Sequence, residues 1–302
     1  MNTDLAFNEL LLKNISAERG ISLANYSTFK IGGECDLAVF PTNKEELVLS
    51  LDILKKHNVR HRVIGRGSNI LFADEGFDGA LVFTTKMCAV RINNDNTVYA
   101  ESGATMKAVA LAAAKAGLSG LEFAHGIPGS IGGGIFMNAG AYGGELSNAL
   151  TYSEYYDTEK GVFGRFEYDD HAFRYRHSVY SDRPELIVIG ACFTLECGDA
   201  EVIKAQIDEY MRKRKSTQPL EYPSAGSAFK RPVGDFAARL IDISGLKGYS
   251  VGGAQVSEKH AGFIVNKGGA TASDVLTLME NIKEVVYKNH GILLESEIEY
   301  VK

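Results

Sequence analysis

The spacing of apolar positions changes period repeatedly along this chain. Between residues 5 and 15 they recur with helical spacing and predict an amphipathic lead-in helix, whereas residues 36–40 read as a strand halted by Pro41. Thr42, with Glu45 three residues on, matches a capping box ahead of Leu47, Leu51 and Leu54, so a second helix follows and ends near His57-Asn58. Short apolar runs at 62–65, 80–83 and 98–101 predict strands, and 105–116 a helix closed by Gly117. Residues 126–180 read as turn-rich, dense first in glycine and then in aromatics, before a strand-like run at 186–196. Beyond a boundary near Gly198-Asp199, residues 201–215 and 236–243 predict helices, 262–265 a strand, 273–289 a helix capped by Gly291, and 292–301 a final strand. The pattern is α+β, with a helical lead-in over 1–25, a region over 26–198 that breaks near 84–90, and a C-terminal domain over 199–302.

Composition narrows the class. At 302 residues the chain exceeds the size at which one hydrophobic core usually stops growing, so two or three packed units are expected. With 45% apolar and 23% charged residues it has ample material for a core. A net charge of -6 argues against broad nucleic-acid or membrane-surface binding and leaves small molecules as the expected partners. Cys35, Cys88, Cys192 and Cys197 show neither CxxC spacing nor disulfide density, and read as reduced core thiols. An early acid with no basic patch before an apolar run excludes a signal peptide, and the most apolar helical stretch, 106–117, is interrupted by Lys107 and Lys115. It is too short to cross a bilayer, so a cytoplasmic protein without membrane insertion is expected.

Five segments could carry chemistry. Ile64-Gly65-Arg66-Gly67-Ser68-Asn69-Ile70-Leu71 is a strand running into a turn that can aim backbone N–H groups at a pyrophosphate; the alternative is a tight turn stabilised by Asn69. It is no dinucleotide fingerprint, because Ile70 stands where G-x-G-x-x-G needs its third glycine. Residues 125–144 carry eight glycines among bulky apolar residues, which suits either close main-chain approach to a flat, extended flavin dinucleotide or glycine-filled turns in a tight core. Phe173-Arg174-Tyr175-Arg176-His177-Ser178 is a carboxylate or phosphate clamp or else a solvated charge cluster. Residues 222–232, preceded by Arg212, Lys213, Arg214 and Lys215, either present Ser227 to an anionic substrate or form an ordinary polar turn. Ala225 stands where a nucleophile elbow needs glycine, which disfavours acyl transfer. In Leu294-Glu295-Ser296-Glu297-Ile298, strand alternation places Glu295 and Glu297 on the same face, commonly a solvated one. The sequence has no phosphate-loop Gly-Lys-Ser/Thr, no His-Glu-x-x-His and no Cys/His spacing suited to zinc, so no metal is expected.

Taken in order, these segments resemble the UDP-N-acetylenolpyruvoylglucosamine reductases of peptidoglycan synthesis. The resemblance runs through residues 26–33, 65–71, 126–144, 175–178, 224–232, 253–266 and 294–298, nearly the whole chain. It implies a PCMH-type split FAD-binding fold followed by a small α+β substrate-binding domain. It also implies a flavoenzyme, monomeric or weakly oligomeric, that uses noncovalent FAD and NADPH to reduce UDP-N-acetylenolpyruvoylglucosamine to UDP-N-acetylmuramate. Carried onto matching positions, it makes Arg176 the catalytic arginine, Ser227 the proton donor and Glu297 the catalytic glutamate. It surrounds FAD with Gly65, Arg66, Gly67, Ser68, Asn69 and Ile70, and with Gly126, Pro128, Gly129, Ser130, Gly132, Gly133, Asn138, Ala139 and Gly140. It assigns Tyr175, Lys215, Arg231, Gln255 and His260 to the substrate side. No insertion supplies the loop that folds a tyrosine over the substrate in longer members, so the chain resembles the shorter class. With no second nucleotide motif, NADPH is expected to alternate with the sugar in one cavity. The alternative, a flavin oxidase or dehydrogenase of the same fold acting on a hydroxy acid or sugar lactone, keeps the glycine-rich half and loses the C-terminal set.

Overall fold

The structure, a computed structural model, describes residues 2–302 and falls into two units that interleave in sequence. The first runs to Glu18 and takes in Leu37–Arg66 and Ala80–Arg214; the second comprises Arg19–Asp36, Gly67–Gly79 and Lys215–Lys302. These divisions differ from the boundaries expected from the pattern along the chain. The helix Ala200–Thr217, expected to open the C-terminal domain, belongs to the first unit as far as Arg214. Two early segments belong with the C-terminal residues for a physical reason: the strand Ile70–Phe72 pairs in parallel with Glu299–Val301, and the Asp74 carboxylate accepts from the N–H groups of Ala272 and Ser273 at 2.7 and 3.0 Å.

The first unit is built on a five-stranded antiparallel sheet in the order Val162–Glu167, Leu150–Asp157, Leu186–Thr194, Thr97–Glu101, Val90–Ile92. Its two leading strands lie where only turns were expected. Register shifts between Leu150 and Tyr152 and between Glu154 and Tyr155 break the two-residue period, so the buried positions Leu150, Ser153, Tyr156 and Asp157 never alternate. The helix Met106–Lys115 forms as expected: the Thr105 hydroxyl accepts from the Ala108 N–H, Gly117 at φ 70 ends it, and Met106, Val109, Ala110 and Ala113 are buried. A second core forms where His61–Ile64 pairs in parallel with Ala80–Phe83 and the helices Asn2–Leu12 and Lys44–Lys56 bury Leu10, Leu47, Leu51 and Leu54. The cap of the latter sits one residue later than expected. Asn43, not Thr42, accepts from the Glu46 N–H at 2.9 Å, and the Glu46 carboxylate reaches back to the Thr42 N–H at 2.8 Å.

The second unit packs the helix Ala272–His290 on a three-stranded antiparallel sheet, Ser250–Val251, Ala254–Val256 and Ile264–Asn266. Val275, Leu278, Met279, Ile282 and Val286 form its buried stripe, at the spacing an amphipathic helix requires. The expected final strand over 292–301 reduces to Glu299–Val301 and an isolated pairing of Ser296 with Phe229. All four cysteines are free; Cys35 and Cys192 are buried, but Cys88 and Cys197 are exposed rather than core thiols. Among the described residues no helix is long and apolar enough to cross a membrane.

The start of Ala272–His290 is held by a reciprocal set of hydrogen bonds. The Thr271 hydroxyl accepts from the Asp274 N–H at 3.0 Å, and the Asp274 carboxylate accepts from the N–H groups of Thr271 and Gly253 at 3.0 and 3.2 Å. Those backbone donors, Thr271 first, hold the Asp274 carboxyl below the ordinary carboxylate range. A lowered native value stabilises the fold above the unfolded value, and the contribution is lost as pH falls through the native one. Thr271→Ala is expected to lower the unfolding free energy by about 1 kcal/mol in urea titrations. Asp274→Ala should destabilise at pH 7, with the difference from the native chain closing below about pH 4.

Candidate active site

In the first unit the glycine-rich segment is laid against the loop that follows Thr97–Glu101. Met106 N–H donates to the Gly129 carbonyl, Ile131 N–H to Ala104, and Gly132 N–H to Ser102, at 3.2, 2.8 and 2.8 Å. The approach leaves little space for side chains: a Cβ on Gly132 would lie 3.0 Å from that of Ser102, and one on Gly65 would lie 2.4 Å from the Ser130 hydroxyl. Gly129, at φ 140, holds a backbone that L side chains rarely adopt. The hydroxyls of Ser102 and Ser130 are buried and find no hydrogen-bond partner in the protein. Burying a hydroxyl without a partner costs about 1–3 kcal/mol. Two such groups beside close-packed glycines fit a polar ligand held against the main chain.

Other residues expected around a cofactor already have duties within the protein. Asn138 is fully buried at φ 42; its side-chain carbonyl accepts from Ser147 N–H at 3.1 Å and its amide donates to the Arg174 carbonyl at 3.4 Å. Ala139 N–H donates to Gly134, and Gly140 makes room for the Gly144 carbonyl, 2.6 Å from where its Cβ would stand. Residues 141–144 turn through Tyr142 (φ 55) and Gly143 (φ 85), a hairpin turn left-handed at both central positions. Tyr142 stacks on Tyr210 with centroids 4.7 Å apart, and Gly126 packs beneath Arg214, whose guanidinium is held below its ordinary value by burial. Sequence reasoning did not single out Tyr142 or Tyr210 and saw Arg214 only as one of four consecutive cations. No signal in one sequence joins residues so far apart.

Arg176 lies in a tight turn of the first unit, closed by Arg174 N–H to His177 C=O and His177 N–H to Arg174 C=O at 3.2 and 3.1 Å. It is half-buried and left-handed at φ 53, with its guanidinium over the ring of exposed Tyr175 at 5.1 Å. Ser178 secures the exit by donating to the Phe136 carbonyl at 2.8 Å.

In the second unit four distant segments meet. Gly67, at φ 60, passes so near the Tyr26 carbonyl that a Cβ would stand 2.3 Å from it, and Thr28 N–H donates to Gly67 at 3.2 Å. The Thr28 hydroxyl donates to the Ser224 carbonyl at 2.7 Å, and the Asn69 amide donates to the Glu297 carbonyl at 2.9 Å. Asn69 therefore ties its turn to Glu297 instead of closing the turn on itself. Ser227, half-buried after left-handed Gly226, pairs with Phe263, while Phe229 pairs with Ser296; Glu297 N–H donates to Ala228 at 3.0 Å. That register brings Ser227 and Glu297 to adjacent rungs. Glu295 does not share the setting of Glu297: its carboxylate is 72% exposed and pairs with Lys230, whereas Glu297 is half-buried.

Of the expected substrate-side residues, His260 stands beside this cluster, edge-on to Phe263 at 5.0 Å. Its Nδ1 accepts from Gly262 N–H at 3.2 Å and burial pushes its pKa down, so the neutral ring carries its proton on Nε2. The Gln255 amide donates to the Gly248 carbonyl and Ser250 hydroxyl, the Lys215 carbonyl accepts from Lys259, and Arg231 lies over Phe236 at 4.6 Å. Among the described residues no cluster of three His, Cys, Asp or Glu side chains could hold a metal ion.

Residues 218–301 match the family described as UDP-N-acetylenolpyruvoylglucosamine reductase, C-terminal domain, and residues 35–162 match the FAD binding domain. A UDP-N-acetylenolpyruvoylglucosamine reductase of Caldicellulosiruptor saccharolyticus is 43% identical over 95% of this chain and 93% of its own. Another, from Lactobacillus johnsonii, is 44% identical over 97% of both chains. The chain belongs to the UDP-N-acetylenolpyruvoylglucosamine reductase family. The crystal structure of the UDP-N-acetylenolpyruvylglucosamine reductase of Thermus caldophilus agrees, with a TM-score of 0.82 at 35% identity over 95% of this chain and 100% of that one. The fold is therefore the α+β one of this reductase family, a PCMH-type split FAD-binding fold followed by an α+β domain. Gly65, Ser102, Ser130 and Gly132 all fall inside the FAD binding match, so the unpaired hydroxyls fit the flavin dinucleotide.

Ser130→Ala separates a ligand-facing hydroxyl from a structural one. Because the native hydroxyl has no partner in the protein, the flavin-free variant should be as stable as the native chain or more so by thermal denaturation. Its FAD affinity, by fluorescence titration, should fall about 2- to 10-fold, the loss of one hydrogen bond.

Proposed function

We propose that this protein is an NADPH-dependent flavoenzyme that reduces UDP-N-acetylenolpyruvoylglucosamine to UDP-N-acetylmuramate, a step in building peptidoglycan precursors. The observation that carries the reading is family membership over nearly the whole chain, including the C-terminal match that holds Ser227 and Glu297. The same reading makes the protein cytoplasmic, monomeric or weakly oligomeric, and a partner of small molecules rather than nucleic acid.

Gly65, Arg66 and the segment from Gly126 to Gly133, with Gly67 to Ile70, would hold FAD noncovalently, which when bound supplies hydride to the substrate. The chain's own residues manage the charge and the proton. Hydride addition to the terminal methylene of an α,β-unsaturated carboxylate drives negative charge onto the carboxyl oxygens. Arg176, a planar fork fixed in its turn, meets that charge with two parallel donors, and a preorganised cation outside bulk water is worth far more than one within it. A second negative charge would repel the developing one, so Glu297 acts with its charge masked by a proton or by a hydrogen-bond donor. The enolic carbon left after hydride addition is a strong base, and Ser227 Oγ–H gives it the proton. Lys215, Arg231, Gln255, His260 and Tyr175 orient the nucleotide sugar. Asn138, Ala139 and Gly140 complete the set proposed around the flavin.

Arg176→Lys keeps the charge and loses the fork, so turnover should fall on the order of 100-fold while the Michaelis constant for the sugar changes little. A raised Michaelis constant alone would make Arg176 a binding residue. Ser227→Ala should leave flavin bleaching by NADPH near the native rate in stopped flow and slow recovery with the UDP-sugar by about 100- to 10,000-fold, with Ser227→Cys regaining part of the loss. Equal slowing of both phases would remove Ser227 from the proton transfer.

A further inference from the structure

A buried hydrogen-bond chain in the first unit has no part in that chemistry. His171, Ser153 and Tyr180 are 0%, 0% and 1% exposed. Ser153 Oγ lies 2.6 Å from His171 Nε2 and 2.6 Å from the Tyr180 hydroxyl, and His171 Nδ1 lies 2.8 Å from the Glu167 carbonyl. These partners determine every proton. A carbonyl only accepts, so Nδ1 carries the hydrogen; burial keeps the ring neutral, so Nε2 accepts from Ser153; and Ser153 in turn accepts from Tyr180.

What the chain encloses is the Arg176 turn. The His171 ring stacks flat on Phe173, with centroids 4.8 Å apart and planes 4° from parallel, on the way into the turn. Tyr180 lies in the short helix Val179–Asp182 on the way out. Ser153, in the sheet strand Leu150–Asp157, joins the two sides. Between them the backbone is left-handed twice, at Ala172 (φ 48) and at Arg176 (φ 53), neither of them glycine. Such conformations persist only where the surroundings over-determine them.

We propose that His171, Ser153 and Tyr180 act as a positioning relay that holds the 173–178 turn in its left-handed form and so aims Arg176. The proposal rests on the catalytic reading of Arg176, but its first consequence concerns the turn itself. His171→Phe keeps the ring and its stack and deletes its hydrogen bonds to Ser153 and to the Glu167 and Tyr168 carbonyls; His171→Gln can restore an acceptor toward Ser153; Tyr180→Phe removes one hydroxyl and is the gentler variant should His171→Phe not fold. Amide hydrogen exchange at Arg174 and His177, whose N–H groups close the turn, should accelerate at least about tenfold in His171→Phe and Tyr180→Phe, with exchange in Leu186–Thr194 unchanged. In the same variants turnover should fall about 10- to 100-fold with the Michaelis constant for the UDP-sugar nearly constant, as slight misplacement of a catalytic group produces, and His171→Gln should recover part of it. Unchanged exchange at the turn, or acceleration spread evenly through the sheet, overturns the relay. Faster exchange at the turn with native turnover, while Arg176→Ala also retains turnover, keeps the relay and overturns the reading of Arg176; faster exchange with native turnover while Arg176→Ala is inactive overturns the claim that the relay aims that residue.

Discussion

Main chain meets main chain in this protein with nothing between, at Gly67 against Tyr26, at Gly132 against Ser102 and at Gly140 against Gly144. At Gly67 and Gly140 the contact tolerates hydrogen and nothing larger, a constraint the sequence can meet in only one way, whereas at Gly132 a side chain would require Ser102 to give way slightly. The contacts are nevertheless of two kinds. Gly140 and Gly144 are closed over by the protein's own atoms, whereas Gly65 and Gly132 adjoin buried hydroxyls that no protein group satisfies. Glycine density alone does not separate packing from ligand approach; unmet hydrogen-bonding capacity does.

The second unit orders Ser227 and Glu297 by a related economy of side chains. Thr28 and Asn69 donate to main-chain carbonyls at Ser224 and Glu297, so small polar groups fix the backbone on which these candidate side chains stand. Each such bond contributes only about 0.5–1.5 kcal/mol. What they provide is placement, because a donor aimed at a carbonyl fixes a segment more narrowly than apolar contact does.

Local signals were legible in the sequence and non-local ones were not. Helices marked by closing glycines, such as Met106–Lys115 and Ala272–His290 with Gly117 and Gly291, form where they were expected, because that cap is settled within a few residues. The Leu150–Asp157 strand was missed because bulges erased its period, and the unit boundaries because they follow a parallel pairing between Ile70–Phe72 and Glu299–Val301. At the site, the motif segments were readable as candidates. The engagement of Asn138 with Ser147 and Arg174, the exposure of Glu295 against half-buried Glu297, and the Tyr142–Tyr210 stack required coordinates, since each depends on which residue arrives from elsewhere.

That parallel pairing also orders events in time. As the chain is synthesised from its N-terminus, the first unit is complete at Arg214, but Ile70, Leu71 and Phe72 must wait for almost all the rest of the chain before their strand partner exists. Through that interval an apolar strand keeps an open edge of unpaired N–H and C=O groups, the feature that invites pairing between molecules. A step exposed to aggregation in the biogenesis of this protein is therefore the closing of a loop about three-quarters the length of the chain, so its yield should depend on what shelters residues 70–72.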